Sequence, residues 1–210
     1  MNQTNRVAAY LNVLTTTTLC LMMLFIWHKC LAENSSNEEA LPMKVVSSES
    51  VKVIHKTIEI GADFDIFTGS LESILGRFDP RVAEILATDP SAAEAKIKDM
   101  AGEQGLMIFG SQNHGALFAL IGRKLKAKRY HIGNPLIAVQ MTSQDIRAGL
   151  YAPMTVLVYE VSPMKVRVDF DLPSSMLGQF QDQNINNIAA ELDMKLEKAI
   201  ESAARLSIKK

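Results

Sequence analysis

The chain has 210 residues, a formal charge of −1, 48% hydrophobic and 21% charged residues, which suits one globular domain plus an appendage. This near-neutral balance excludes a general nucleic-acid binder, which needs a basic field to displace counterions. The two cysteines, Cys20 and Cys30, sit near the N-terminus, so a domain freed of that segment has no thiol chemistry.

Val7 to Trp27 is an uncharged run flanked by Arg6 and Lys29. Its dense part, Leu19 to Trp27, has the length of a signal-peptide core, and Cys30-Leu31-Ala32 makes a small-x-small cleavage site before Glu33. The same run is long enough to span a bilayer as an uncleaved anchor. Residues 1–32 therefore read as signal peptide or signal anchor. Either way the N-terminus stays inside and the rest is exported, to a periplasmic or extracellular location, free or held at the inner membrane by residues 7–27. Without Arg6 and Lys29, residues 33–210 carry 22 − 2 = 20 basic against 23 acidic residues, a charge of −3. Residues 33–50 are small and polar and read as a flexible spacer. Asn34-Ser35-Ser36 within it is a formal glycosylation sequon.

The domain spans 51–208. Val51 to Ile60 is rich in β-branched residues and predicts a strand with Ile54, Ile58 and Ile60 on one face. Phe64, Phe67, Leu71, Ile74, Leu75 and Phe78 predict an amphipathic helix capped by Asp63. Asp79-Pro80 and Asp89-Pro90 repeat one start signal, an acidic cap before proline, and predict short helices over 80–87 and 90–101. Ser91 and Glu94 offer the second of these an alternative capping box. Gly102 closes it. Leu106 to Phe109 predicts a short buried strand, Ser111 to Gly115 a turn, and Ala116 to Leu125 a short helix. Tyr130 to Met141 predicts a strand interrupted at Gly133-Asn134-Pro135, where glycine and proline imply a bulge or kink. Met154 to Val161 and Lys165 to Asp171 predict a hairpin around Ser162-Pro163. In its second arm Val166, Val168 and Phe170 share one face and Lys165, Arg167, Asp169 and Asp171 the other. Ile185, Ile188, Ala189, Leu192, Leu196, Ala199, Ile200 and Ala203 form the stripe of a long terminal helix. The fold class is α+β, an antiparallel β-sheet with helices packed on one face in β-α-β(n)-α order.

Several blocks resemble the family called domain of unknown function 302. They are Tyr130-His131-Ile132-Gly133-Asn134-Pro135, Leu150-Tyr151-Ala152-Pro153, Val156 to Glu160, Asp171-Leu172-Pro173-Ser174-Ser175 and Ala190 to Leu196. The resemblance covers roughly residues 51–206. It implies a TBP-like fold, a curved antiparallel sheet with two principal helices, and no established reaction. Against the family pattern, residues 76–101 look like a helical insertion.

His114, His131, Asp169 and Asp171 are the candidates for ligand or proton chemistry, because imidazole and carboxylate bind metals and exchange protons. No two of them have a metal-helix spacing, and a turn histidine plus a strand histidine is the plainer reading. Asn134 and Tyr151 are candidate pocket residues. Arg123, Lys124, Lys126, Lys128 and Arg129 form a basic cluster that suits anionic headgroups or, equally, a solvated helix C-terminus. Nucleophile elbow, phosphate loop, Cys-x-x-Cys and dinucleotide fingerprint are all missing, and no cofactor is indicated. The leading expectation is a non-enzymatic binding module that takes a small or apolar ligand, or a partner chain, between sheet and terminal helix. The alternatives are a metal-dependent or His/Asp-based envelope hydrolase, and a self-associating structural domain that forms a homo-oligomer.

Overall fold

Eight apolar positions at helical spacing organise the C-terminal third, and they place the sheet's main cover. The computed structural model describes residues 43–209. The signal peptide or anchor expected at 1–32 and most of the spacer expected at 33–50 lie outside the described residues. Residues 43–49 are exposed and carry no regular structure. The chain divides at Glu49/Ser50, and the sheet and its helices belong to the unit from Ser50 onward. No helix among the described residues is long and apolar enough to cross a membrane.

Six strands form one sheet: β1 (His55–Ile60), β2 (Gly76–Arg77), β3 (Met107–Asn113), β4 (Ala127–Gly133), β5 (Met154–Ser162) and β6 (Lys165–Asp171). Their order is β1-β6-β5-β4-β3-β2. All pairs are antiparallel except β2 with β3. The β5–β6 hairpin turns at Ser162 to Lys165, with Met164 at φ 60°. Side chains alternate across each strand, so Val156 and Val158 of β5 and Val166, Val168 and Phe170 of β6 are buried together.

Two principal helices cover that face, α1 (Phe64–Ile74) and α6 (Gln183–Ile208). Phe67 and Leu71 of α1 and Ile185, Ala189, Leu196 and Ala199 of α6 are fully buried, and all belong to one core cluster. Asp63 caps α1 by accepting from the amides of Asp65 and Ile66, as its type predicts. Asp182 caps α6 through the Ile185 amide.

The helices α2 (Val82–Leu86) and α3 (Pro90–Met100) appear near the predicted positions. Asp89 accepts from the Ala92 amide with Pro90 at the first helical position, so the Asp-Pro signal operates and the Ser91–Glu94 box does not. Asp79 accepts from the Arg81 amide and guanidinium, and those bonds hold its carboxyl down to about 2. Val82, Ala93 and Ile97 bury Met107, forming a second small cluster. Met107 neighbours Ile108 in β3 and so lies on the other side of the sheet.

Four sequence expectations shift. The first strand begins at His55, not Val51. The first helix stops at Ile74, so Phe78 is not on its stripe. A Cβ on Gly76 would stand 1.8 Å from the Met100 carbonyl oxygen, and one on Gly102 would stand 2.2 Å from the Gly76 nitrogen. The two backbones touch there, and only glycine permits it. The short strand at Leu106 runs on through Ser111, Gln112 and Asn113, which pair with β4 beyond a bulge at Phe109. The helix expected over 116–125 is a 3₁₀ turn, Gly115–Ile121, ended by Gly122 at φ 69°.

The largest correction concerns Gly133-Asn134-Pro135. It is no mid-strand bulge: β4 ends at Gly133, and Pro135 starts a helix, α4 (Pro135–Thr142). Asn134 is the cap, its Oδ1 accepting from the Leu136 amide at 2.7 Å, with Pro135 in the first turn. This is the Asp-Pro start signal with asparagine in place of aspartate.

Candidate functional site

The end of β4 and the start of β5 do not close against the terminal helix. Between them lies a cavity of about 370 Å³. Ile132 and Met154 come from the strand ends. Ile137, Ala138 and Met141 come from α4, Leu177 from α5 (Pro173–Leu177), and Leu192 from α6. Phe78 and Phe109 form another wall, with ring centroids 4.4 Å apart. The cavity thus sits between the main core and the cluster around Met107.

Every polar side chain on the wall has a protein partner. Asn134 Nδ2 donates to the Gly105 carbonyl at 2.7 Å while its Oδ1 caps α4. Thr142 Oγ1 donates to the Ala138 carbonyl at 3.1 Å. Tyr151 Oη accepts from Gln179 Nε2 at 2.8 Å, and the Tyr151 ring meets Phe180 edge-on at 6.1 Å. The lining includes no Asp, Glu, His, Lys, Arg or Cys. Gly133 marks a close approach, since a Cβ there would be 3.2 Å from Pro153 Cβ. The Ala152–Pro153 peptide is cis.

Three blocks that looked unrelated in sequence converge here: Gly133-Asn134-Pro135, Tyr151-Ala152-Pro153 and Pro173 all line the cavity. Of the candidate residues, Asn134 and Tyr151 are therefore brought together. Phe78, Phe109, Met141, Thr142 and Leu192 complete the walls and were not singled out in sequence. Reading Asn-Pro as a helix start would have found the α4 residues. Nothing local marks Phe78 or Leu192.

The other candidates lie elsewhere. Asp169, Asp171 and His131 share the sheet's open face, but the histidine that reaches the two carboxylates is His55 of β1. Its Nδ1 is 2.8 Å from Asp171 Oδ1, and its Nε2 is 3.6 Å from Asp169 Oδ2. Tyr159 donates to Asp169 Oδ2 at 3.2 Å. His131 pairs with Thr155 of β5, so the width of a strand separates it from Asp171, roughly 10 Å between β4 and β6. His114 precedes the 3₁₀ turn beyond Asn113, the partner of Lys128. It lies roughly 10 Å or more down the sheet from His131. Among the described residues no three His, Cys, Asp or Glu side chains gather as a metal site would. The basic cluster is dispersed over a loop and a strand. Lys126 pairs with Asp65 at 2.7 Å, Lys128 with Glu72, and Arg129 donates to Gln112 at 2.6 Å.

Two groups, the buried Tyr130 and the half-buried Glu72, are structural. Burial, reinforced by the Glu72 hydrogen bond, pushes the Tyr130 phenol far up and keeps it neutral. Burial opposes charge on Glu72, yet hydrogen bonds from Lys128 and Tyr130 hold its pKa below the ordinary value.

The His55 contacts make a pH prediction. The Asp171 hydrogen bond, with Asp169 behind it, raises the imidazole above its ordinary 6.5. A raised folded-state pKa adds stability that is fully present below the unfolded value and lost as pH rises through the folded one. The melting temperature should therefore be higher near pH 6 than near pH 8 by an increment that disappears in Asp171→Asn. His55 is 58% exposed, so solvent keeps the increment small. An NMR titration placing His55 at or below 6.5 would refute it.

A solved structure described as an uncharacterized conserved protein DUF302 from Bacillus stearothermophilus is similar in fold. It has a TM-score of 0.51 at 14% identity, over 71% of this chain and 97% of that one. No curated protein matches the chain. The family model described as domain of unknown function DUF302 matches residues 83–203, which cover β3 to β6, α4 and most of α6. The chain that places its Gly-Asn-Pro, Tyr-Ala-Pro and Leu-Pro blocks around one cavity belongs to the DUF302 family.

Proposed function

We propose that this domain is a non-enzymatic binding module for a small apolar ligand. The ligand occupies the cavity between the strand ends, α4 and α6. The hydrophobic N-terminal segment supports the further reading that the module is exported, or tethered at the membrane. One observation carries the ligand class: the walls are apolar, and each polar side chain on them is already bonded within the protein. A ligand with buried charge would find no counter-charge there, and a buried unpaired ion costs several kcal/mol. An acyl chain or small ring system gains about 25 cal/mol for each Å² of apolar surface it removes from water. The volume lies within the ordinary range for small-molecule sites, about 300–1,000 Å³. The walls also supply no acid–base pair for turnover.

Thermal-shift measurements on residues 43–210 test this. Medium-chain fatty alcohols and acids and small aromatic hydrocarbons should raise the melting temperature. At about a hundredfold excess over Kd the gain is about 2.7 kcal/mol, some 5–10 °C for a domain of this size. Ala138→Trp, which fills the cavity from α4, should fold normally and lose that shift. No stabilisation by apolar compounds, or stabilisation that survives Ala138→Trp, would remove the proposal.

A further inference from the structure

A second surface lies at the opposite end of the β3–β4 pair from that cavity, beyond Asn113 and Lys128 rather than beside Met107 and Gly133. Leu117, Leu120, Ile121 and Leu125 are 57%, 86%, 64% and 41% exposed. Water-facing aliphatics this close together mark an interaction surface. They do not belong to a slack segment. A Cβ on Gly115 would stand 2.2 Å from the Leu125 carbonyl oxygen, so the two limbs of the turn touch backbone to backbone at its base. Asn113 Oδ1 accepts from the Ala116 amide at 3.0 Å. The Arg123 amide donates to the Phe118 carbonyl at 2.9 Å, and its guanidinium lies 5.6 Å from the Phe118 ring centre. The clamped turn holds its aliphatic tips outward.

The charge carried by the segment itself has one sign, although Asp65 of α1 lines the groove beside it. No Asp or Glu occurs in sequence between Glu103 and Asp145. Lys126 and Lys128 are turned away toward Asp65 and Glu72. Arg123 and Lys124, both exposed, have no acidic partner among the described residues and border the tips directly. An aliphatic tip with a cationic rim is complementary to acyl chains beneath anionic headgroups. A dimer is a poorer fit. Four aliphatic side chains, each smaller than the roughly 150–250 Å² of a buried aromatic, fall short of the about 800 Å² per partner of a standard interface.

We propose that the 115–125 turn is a membrane-contact loop. Leu117, Leu120 and Ile121 enter the acyl region of an anionic lipid surface, while Arg123 and Lys124 sit at headgroup level. The contact is independent of the apolar cavity and of the N-terminal segment, so its failure would leave both readings untouched.

Residues 43–210 include the whole described core, and the similar Bacillus chain is almost entirely this domain. Trp27 is the chain's single tryptophan, so Leu120→Trp in residues 43–210 is a unique reporter. Its emission should shift to the blue with vesicles of phosphatidylcholine containing about 30% phosphatidylglycerol, and return as salt is raised. Leu117→Ser, Leu120→Ser and Ile121→Ser together should abolish co-sedimentation with those vesicles while leaving the melting temperature unchanged. Arg123→Glu with Lys124→Glu should weaken binding at least roughly tenfold. An unshifted emission, equal binding to pure phosphatidylcholine, or binding by the triple variant would overturn the proposal. So would a blue shift without vesicles that grows with protein concentration, which would make the loop a contact between copies of the chain.

Discussion

Phe67→Ala should cost about 4 kcal/mol of stability, the largest single loss expected from truncating one core side chain of this domain. Phe67 is fully buried on α1 and shares one core cluster with Val156, Val168 and Leu196 from the sheet and α6. Truncation removes most of a phenyl ring's transfer energy. It also leaves a void that α1 cannot close, because Asp63 fixes its N-terminus and the Gly76–Gly102 backbone contact follows its C-terminus. For a domain of this size the melting temperature should fall by about 8–16 °C. The matched control is the preceding residue: Ile66 is 37% exposed, and Ile66→Ala should cost less than about 1 kcal/mol. Urea titrations of the two variants decide it. Comparable midpoints would mean that α1 does not pack on the sheet by this face.

Asn134→Ala should damage stability and ligand binding together. The side chain has two jobs at the junction of β4 and α4, capping the helix through Oδ1 and holding the Gly105 carbonyl through Nδ2. Loss of a cap typically costs about 1 kcal/mol, and loss of the second bond about 1 more, so about 2 kcal/mol in total is expected. Helix α4 supplies Ile137, Ala138, Met141 and Thr142 to the cavity. A frayed first turn should weaken apolar-ligand binding by roughly tenfold, since misplaced walls forfeit close contact. Asn134→Asp separates the two jobs, keeping the cap acceptor and losing the amide donor. It should fall between wild type and alanine in both measurements. Unchanged melting and unchanged binding in Asn134→Ala would show that this junction does not position the wall.

Local chemistry made much of the architecture legible. Asp63, Asp89-Pro90 and the Ile185–Ala203 stripe mark helices because capping and amphipathic burial act within a few residues. Val166, Val168 and Phe170 give away a one-sided strand for the same reason. Structure departs from expectation where a local pattern has two readings. Ile137 and Val139 after Gly-Asn-Pro suggest strand by β-branching, yet Asn134 and Pro135 nucleate a helix, and capping plus packing outweigh a weak propensity. Ser111 to Asn113 read as a turn by composition, but pairing with β4 draws them into the sheet.

The sequence by itself determined the secondary elements with strong caps or clear periodicity, the one-sided strand β6 and the family, since each depends on neighbours along the chain. Only the tertiary structure decided which residues meet. It set Phe78 against Phe109, brought Leu192 to the block at 133–135, and gave Asp169 and Asp171 to His55 rather than to His131 or His114. Those meetings follow from strand order and helix docking, which join positions from 31 (Phe78 and Phe109) to 116 (His55 and Asp171) residues apart and leave no mark in the local spacing of either partner.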